Sequence, residues 1–457
     1  MRLRAVVAWV FVAVVAAGAY FYSVHTAERR EQAREEAARA VSLGDPLNVT
    51  VVELKGRDYP RPVRIVRQDQ KYRWFMEKPV AWPADNLMVG RLIGAVLDAK
   101  AVRKIPHQGN LEQYGLKPPR IEITLTDRKG GRATLLIGDL SPTGKFCYAM
   151  RPGAGEVLFL PGRDRAAFSY SVFRLRDKAV LDFVISDVER LELAWGEERP
   201  MVIRRVRGGA EPVWRFADGA EASAEAVEDF LMRLHGLRAV DYVDRGLDLP
   251  EMGLQPPRGR MVLGIAGGEP VGILIGGKVP GREERYLRRL EGGPAIVVKA
   301  KEVEGLRVTR HQLAERRVWR IDRERAVALE VRRGGKSLAY AKEEGAWRRT
   351  RPPGDTKAGT AAPLLIWDLS ELKYEKLLPP GDYGLDPPQA RITLTLEAPA
   401  KEGKGRVIVR RLRLGRVDPA TGLLAVQVEG DGRIFGVKPK IWDSLPPAEG
   451  GQVKEKD

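Results

Sequence analysis

One six-residue pattern occurs three times in this chain and constrains its fold more than any other feature. The pattern is Tyr or Met, Gly, Leu, any residue, and two prolines, and its copies begin at Tyr114, Met252 and Tyr383. A tryptophan precedes each copy at a similar distance, at Trp74, Trp214 and Trp347. A strand-like run ending in glycine follows each copy, at Gly138, Gly276 and Gly415. A period of roughly 135 residues is the size of a domain, so we expect three duplicated units rather than a short-period solenoid.

The repeated pattern has a structural and a functional interpretation. A glycine that ends a short helix adopts the left-handed conformation without steric cost, and two prolines then force an extended exit. A loop that holds an anion is the alternative, but prolines offer no N–H groups and no Lys-Ser or Lys-Thr pair follows. We favour the structural interpretation.

Within each unit, one segment has apolar residues at helical spacing and the others are strand-like. The predicted helices are Ala84–Lys100, Ser223–His235 and Ala361–Tyr374. The predicted strands of the first unit are Val51–Leu54, Val63–Arg67, Tyr72–Glu77, Ile121–Thr126, Ala133–Ile137, Phe146–Met150 and Val157–Leu160. Short connections favour antiparallel pairing. The expected fold class is α+β: one N-terminal transmembrane helix followed by three duplicated, mostly antiparallel α+β units.

The N-terminal region predicts the membrane helix. Ala5–Tyr22 carries no formal charge, and as a helix it would measure about 27 Å, close to the ~30 Å hydrocarbon core of a bilayer. Arg2 and Arg4 precede it, which favours a cytoplasmic N-terminus. A cleavable signal peptide with small residues at Ala16–Ala19 is the alternative; we favour an anchor because signal peptides usually have shorter apolar regions.

The segment after the predicted span, Thr26–Ala40, is rich in helix-forming residues and predicts a short stalk. The predicted organisation is an anchor at 1–26, a helical stalk at 27–46, repeat 1 at 47–183, repeat 2 at 184–318, repeat 3 at 319–446 and a polar tail at 447–457.

Two further motifs carry a family resemblance. Trp82-Pro83-Ala84-Asp85 and the Leu-Arg-Asp-Lys run within Phe173–Lys178, with the Tyr-Gly-Leu-x-Pro-Pro and Ile-Gly landmarks, resemble the bacterial domain-of-unknown-function 4340 family. The resemblance covers most of 47–446 and is weakest in repeat 3, which lacks the Leu-Arg-Asp-Lys run and has an insertion at Ala398–Gly405. It implies a single N-terminal membrane helix and an ABC-type transporter as genomic neighbour. It implies no catalytic residues.

Composition excludes several classes of site. The single cysteine, Cys147, excludes an internal disulfide framework and a cysteine-cluster zinc site, and four histidines make no histidine-rich metal centre. The net charge is +17, but basic residues are spread along the chain among acidic ones. The densest basic runs, Arg316–Arg325 and Arg410–Arg416, come with no groove-reading motif, so we expect no nucleic-acid partner.

No motif assigns a catalytic, cofactor-binding or metal-binding residue. Gly335-Lys336-Ser337 resembles the end of a phosphate-binding loop, but Glu330 stands where that loop needs a glycine, and a hairpin turn is the better interpretation. Cys147 is expected to be a buried thiol. Trp74, Trp214 and Trp347 recur in register and are expected to pack in cores rather than to form a sugar-binding platform.

The sequence therefore predicts a non-enzymatic accessory or scaffold protein of an ABC-type transport or export complex. It is expected at the cytoplasmic (inner) membrane with one span, the bulk of the chain extracytoplasmic or periplasmic, and a permease and ATPase as partners. The alternative is an envelope module that binds an anionic polysaccharide or lipid. A third hypothesis, a hydrolase using carboxylates such as Glu283 and Glu284 or Asp241 and Asp244, has no supporting motif.

Overall fold

Strands dominate the chain. The computed structural model describes residues 20, 25, 37–43, 45–68, 73–207, 212–353, 359–398 and 406–445. In these residues twenty-six strands form three antiparallel sheets. Each sheet is accompanied by one helix of ten to twelve residues: α1 (Asn86–Leu97), α4 (Ala224–His235) and α7 (Ala361–Ser370).

The first sheet has the strand order β4-β3-β2-β1-β6-β7-β8-β9-β5. Its strands are β1 (Val49–Gly56), β2 (Tyr59–Gln68), β3 (Arg73–Lys78), β4 (Trp82–Pro83), β5 (Arg103–Pro106), β6 (Ile121–Asp127), β7 (Arg132–Leu140), β8 (Phe146–Met150) and β9 (Glu156–Pro161). Helix α1 lies between β4 and β5 in the chain, so the connection through it joins the two edges of the sheet.

The second sheet has the order β13-β12-β11-β10-β15-β16-β17-β18-β14 and the third has β21-β20-β19-β23-β24-β25-β26-β22. The second comprises β10 (Val188–Trp195), β11 (Met201–Val206), β12 (Val213–Phe216), β13 (Glu221–Ala222), β14 (Asp241–Val243), β15 (Gly259–Ile265), β16 (Val271–Lys278), β17 (Glu284–Arg289) and β18 (Gly292–Lys299). The third comprises β19 (Ala326–Arg333), β20 (Lys336–Glu343), β21 (Ala346–Arg351), β22 (Tyr374–Leu378), β23 (Ala390–Glu397), β24 (Val407–Val417), β25 (Leu424–Val428) and β26 (Ile434–Val437). The remaining helices are short: α2 (Arg165–Phe168), α3 (Val172–Leu175), α5 (Ala300–Glu304) and α6 (Arg310–Leu313).

The core of repeat 1 lies between its helix and one face of its sheet. Alternate strand residues are fully buried there, and the apolar stripe of α1 packs on them. These buried residues include Val52, Leu54, Ile121, Ile123, Leu135 and Ile137 from the sheet and Val89, Leu92 and Val96 from α1. Asp85 caps the helix, because its Oδ1 accepts a hydrogen bond from the backbone N–H of Met88.

The opposite face of the first sheet is polar and carries ion pairs. Glu53, at the middle of β1, accepts from Arg64 on β2 at 2.7 Å and from Arg132 on β7 at 3.2 Å. Glu192 of β10 and Glu330 of β19 likewise pair with arginines, Arg190 and Arg332. Each central strand therefore has one face for the core and one for solvent.

In each repeat a short segment forms backbone hydrogen bonds with the residues that follow the main helix. The backbone N–H groups of Ala101, Ala239 and Tyr374 donate to the carbonyls of Ala38, Lys178 and Arg316, each at 2.8 Å. In return Ala40, Val180 and Val318 donate to Ala99, Leu237 and Leu372. We call 38–40, 178–180 and 316–318 the docking segments.

The described chain divides into two compact units. One comprises the described residues up to Asp218 together with Glu228–Val308, and so contains the first sheet and nearly all of the second. The other comprises Gly219–Val227 and the described residues from Thr309 onward, with the third sheet. The sheets extend from Val49 to Pro161, Val188 to Lys299 and Ala326 to Val437.

The expected α+β class with an N-terminal transmembrane helix is wrong for the described chain. Each repeat contains only one helix of ten residues or more within the described ranges. Two segments for which the sequence predicted neither helix nor strand, Trp82–Pro83 and Arg103–Pro106, are edge strands. The predicted span at 5–22 lies outside the described residues except for Tyr20. No helix within the described ranges is both long and apolar enough to cross a membrane.

The predicted helical stalk at 27–46 lies partly outside the described residues, and within them Ala37 and Ala38 are helical. Its end is the first docking segment, in which Arg39 forms a bridge with Lys100. Ala40 and Val41 are buried, so this end packs against the core of repeat 1.

Candidate functional site

The repeated Gly-Leu-x-Pro-Pro pattern builds the same turn three times. Gly115, Gly253 and Gly384 all have a φ of 64°, the left-handed conformation that the pattern predicted. The backbone N–H of the next residue donates to a carbonyl five residues earlier. Leu116 donates to Leu111 O at 3.1 Å, and Leu254 donates to Leu249 O at 2.8 Å. The first proline of each pair follows a cis peptide bond.

The Ile-Gly strand end is the partner of this turn. A Cβ atom on Gly138 would lie 2.1 Å from the carbonyl oxygen of Tyr114. The corresponding distances are 2.5 Å from Gly276 to Met252 O and 2.2 Å from Gly415 to Tyr383 O. Two landmarks that are separate in the sequence are therefore the two sides of one close backbone contact.

In repeat 1, the arginine that follows the two prolines lines a polar cleft. Arg120 donates from Nη1 to Asp139 Oδ1 at 3.0 Å and from Nε to Asp58 Oδ1 at 3.2 Å. The other oxygen of Asp58 accepts from Arg165 Nη2 at 2.8 Å. These side chains line adjoining clefts of about 810 and 690 Å³. In the second cleft, burial raises the pKa of Tyr59 to about 12, and its hydroxyl donates to the carbonyl of Tyr170.

The same locus differs in the other repeats. In repeat 2, Arg258 follows the prolines, and Gly277 occupies the position of Asp139. Arg258 lines a groove of about 770 Å³ together with Arg285, Arg307 and Trp195. In repeat 3, Gln389 follows the prolines, and Arg416 occupies the position of Asp139 and pairs with Asp382 at 2.9 Å.

The two family-like motifs of repeat 1 meet in space. The indole Nε1 of Trp82 donates to the carbonyl of Asp177 at 3.0 Å. The N–H of Asp177 donates to Pro83 O, and the N–H of Asp85 to Leu175 O, both at 2.9 Å. The Trp-Pro-Ala-Asp and Leu-Arg-Asp-Lys motifs thus form one structure at the end of repeat 1.

Repeat 2 completes this structure from the other side. Arg176, 1% exposed, makes two hydrogen bonds to the carboxylate of Asp244, at 2.9 and 2.7 Å. The Tyr242 hydroxyl donates to Asp177 O at 2.7 Å, and burial raises the pKa of that phenol. We call this cluster, Trp82, Arg176, Asp177, Tyr242, Asp244 and Arg289, the joint.

Arg289 joins the two repeats through the face of Trp82. Its guanidinium carbon lies 4.0 Å from the Trp82 ring centroid, and its Nε donates to the carbonyl of Val180 at 2.8 Å. Burial lowers the pKa of Arg289, which pairs only weakly with Glu291 at 3.8 Å. A cation on an indole face in a partly desolvated setting stabilises by about 1–2 kcal/mol.

The second compact unit contains an equivalent arrangement with different charges. Glu315 stands at the position of Asp177, and its carbonyl accepts from the Tyr374 hydroxyl at 3.4 Å. Ala314 stands at the position of Arg176, so a methyl group replaces the buried guanidinium of the joint. The Glu315 carboxylate instead accepts from Arg317 at 2.8 Å and from Arg320 at 3.3 Å.

Glu315 should make the second compact unit sensitive to acid. Burial opposes its ionisation, but the hydrogen bonds from Arg317 outweigh this and hold the pKa of the carboxyl below its ordinary 4.5. A carboxyl with a lowered folded-state pKa stabilises above its unfolded value, and that contribution is lost as the pH falls through the folded value. We expect Glu315→Gln to unfold in urea with a weaker pH dependence below about pH 4.5 than the wild type. Glu324→Gln, at an exposed residue, is the control and should leave the wild-type dependence unchanged.

The structure places the other sequence candidates in structural roles. Cys147 is fully buried, and burial raises the pKa of its thiol to about 11. Gly335 lies in the β19–β20 hairpin turn, as predicted. Trp74 and Trp214 are buried and Trp347 packs against the third core, which confirms the packing interpretation. Arg411 and Arg413, in the basic run Arg410–Arg416, lie on β24 and donate to Glu429.

Three of the four acidic residues considered for a hydrolase pair with arginines. Asp244 binds Arg176 in the joint, and Asp241 and Glu284 both pair with Arg282. The fourth, Glu283, is exposed and lies 4.0 Å from Lys278. The sequence did not indicate Tyr242 and Arg289 as functional residues. Their partners are the carbonyls of Asp177 and Ala179, 65 and 110 residues away, and no local pattern predicts such contacts. The Leu-Arg-Asp-Lys motif was the available signal for one side of the joint.

Comparison with known proteins supports the family resemblance. Residues 74–257 match the family model described as "Domain of unknown function (DUF4340)". The matched range begins at β3 of the first sheet and ends after the second Pro-Pro turn, so it includes the joint except for Arg289. No curated protein and no solved structure matches the chain.

Proposed function

We propose, from the premise that residues 74–257 of this chain belong to the DUF4340 family, that the protein is a non-catalytic scaffold that presents its first two repeats to partner proteins in a fixed arrangement. The observation that carries the proposal is the joint. The motifs of the family resemblance bind repeat 1 to repeat 2 through the buried side chains of Trp82 and Arg176, whereas a flexible linker would leave the two repeats free to move.

Charge distribution supports the choice of protein partners over a polymer. Many arginines are paired within the chain: Glu53, Glu192 and Glu330 bind arginines on the polar sheet faces, and Glu429 binds Arg411 and Arg413. A protein that tracks an anionic polymer needs a continuous field of unpaired cations. A surface with few unpaired cations is better suited to local polar contacts with a protein partner.

The partners we propose are the permease and ATPase of an ABC-type transport or export complex at the cytoplasmic membrane, as the family resemblance implies. The test is gentle detergent extraction of the tagged full-length protein from its native cells, followed by mass spectrometry of what co-purifies. Recovery of a permease and an ATPase in stoichiometric amounts supports the proposal. Recovery of the protein alone, after cross-linking in the cell as well, contradicts it.

A further inference from the structure

We infer that the groove of repeat 2 lined by Arg258, Arg285, Arg307 and Trp195 binds an acidic segment of a partner protein, through a carboxylate that enters beside Gly277. The inference rests on the proposed scaffold function and assigns it one contact surface. Repeats 1 and 2 both have an arginine after the prolines, but only repeat 1 has a carboxylate, Asp139, beside it.

Repeat 1 shows what this locus accommodates. The arginine after the prolines, Arg120, binds two carboxylates of its own chain, Asp139 at 3.0 Å and Asp58 at 3.2 Å. Asp139 follows directly after the strand glycine, so the turn and the strand end hold the carboxylate and the guanidinium together. Charge-assisted hydrogen bonds of this kind are about twice as strong as neutral ones.

Repeat 2 keeps the arginine and lacks the carboxylate. Gly277 replaces Asp139, and the backbone approach is similar in the two repeats: a Cβ on Gly253 would lie 3.0 Å from the N of Gly277, and one on Gly115 would lie 2.9 Å from the N of Asp139. A Cβ on Gly277 would lie 3.8 Å from the Nε of Arg258, the direction from which Asp139 reaches Arg120. No carboxylate in the described ranges forms an ion pair with Arg258.

Two more arginines face the same groove without ion pairs in the part of the chain that the structure describes. Arg285 donates from Nη1 to Gly276 O at 2.9 Å, and its Nε is buried without a hydrogen-bond partner. The guanidinium carbon of Arg307 lies 5.8 Å from the ring centroid of Trp195, whose Nε1 is likewise buried and unpartnered. The groove therefore offers donors and an indole surface to one ligand.

Three exposed glutamates, Glu197, Glu198 and Glu304, also line the groove. They balance the formal charge of the three arginines, so a distant polyanion gains little from long-range attraction. Recognition depends on contact at Arg258 instead. A groove of about 770 Å³ with a local carboxylate position fits an aspartate or glutamate side chain in a peptide, which is the chemistry that repeat 1 uses internally.

The test uses the full-length protein and a fluorescent decapeptide of alternating aspartate and serine, with an asparagine-serine peptide and an oligogalacturonate as comparison probes. We expect the aspartate peptide to bind and the asparagine peptide not to bind. Gly277→Asp would fill the groove as in repeat 1, and we expect it, like Arg258→Gln, to weaken binding about tenfold. Gly277→Asn, of the same shape without charge, should weaken binding less than Gly277→Asp does, and Arg260→Gln, on the polar sheet face, should leave binding unchanged.

Other results would overturn the inference. Equal losses from Arg258→Gln and Arg260→Gln would mean general charge attraction, and binding of the oligogalacturonate in place of the peptide would assign the groove to an acidic glycan. If the peptide does not bind but the permease and ATPase co-purify, the groove is not the binding site and the proposed scaffold function remains supported. Peptide binding with the expected variant pattern, but without co-purifying partners, would support the groove and reject the transport partners. Because Gly277 has no left-handed backbone and its Cβ would meet no atom closer than 3.4 Å, the variants should fold.

Discussion

Asp244→Ala should destabilise the first compact unit by about 2–3 kcal/mol, because it leaves the guanidinium of Arg176 charged, buried and without its carboxylate. Arg176 is 1% exposed, and its Nε already lacks a hydrogen-bond partner. The remaining stabilising contact, 4.8 Å from the guanidinium carbon to the Tyr242 ring centroid, cannot replace two charge-assisted hydrogen bonds. Urea unfolding followed by tryptophan fluorescence measures the change.

The double variant Arg176→Met with Asp244→Ala separates this cause from a general packing defect. It removes the uncompensated charge and should recover part of the lost stability, since a buried ion pair can often be replaced by apolar residues at little cost. Asp182→Ala is the matched control, because Asp182 pairs with Arg73 while both side chains are more than half exposed. We expect at most about 1 kcal/mol there. Equal effects at Asp244 and Asp182 would mean that the joint contributes no special stability.

Gly138→Ala should destabilise repeat 1 by about 3 kcal/mol or more, because the added methyl group would overlap a fixed backbone atom. The new Cβ would lie 2.1 Å from the carbonyl oxygen of Tyr114, a backbone atom that the following glycine turn holds in place. This overlap can be relieved only if the turn and strand β7 move apart. That movement would disturb the packing of Leu116, which is 2% exposed.

Gly90→Ala provides a control of opposite sign in the same repeat. Gly90 lies inside α1, and its added Cβ would meet no atom within 4 Å. Alanine is favoured over glycine inside a helix by about 1 kcal/mol, so this variant should be more stable than the wild type. Thermal unfolding of the two variants side by side checks both signs, and a Gly138→Ala protein as stable as the wild type would show that the turn and the strand end are not in rigid contact.

Local elements could be predicted from the sequence because their signals are local. The left-handed Gly115, the apolar stripe from Val89 to Val96 and the strand Phe146–Met150 follow from spacing and residue type alone. The edge strands Trp82–Pro83 and Arg103–Pro106 could not be predicted, because two to four residues with a proline give no period and become strands only by pairing with β3 and β9.

The sites depended on information that the sequence does not display. Arg120 and Arg258 occupy equivalent positions, but their difference arises from Asp139 and Gly277, which lie 19 residues further along in each case. The joint required the pairing of Arg176 with a residue 68 positions away. The family-like motifs indicated that Trp82 and Asp177 matter, while the reason, a hydrogen bond between them, needed the fold.

The docking segments set where this protein can be cut into recombinant fragments. Residues 178–180 form backbone hydrogen bonds with Leu237 and Ala239 of repeat 2, although they precede the first strand of its sheet by several residues. A fragment that starts at the sheet, near residue 188, loses this edge together with the buried side chains of Val180 and Leu181. Expression designs should therefore begin at 37 or 176, upstream of the first or the second docking segment, so that the fragment carries its own complete edge.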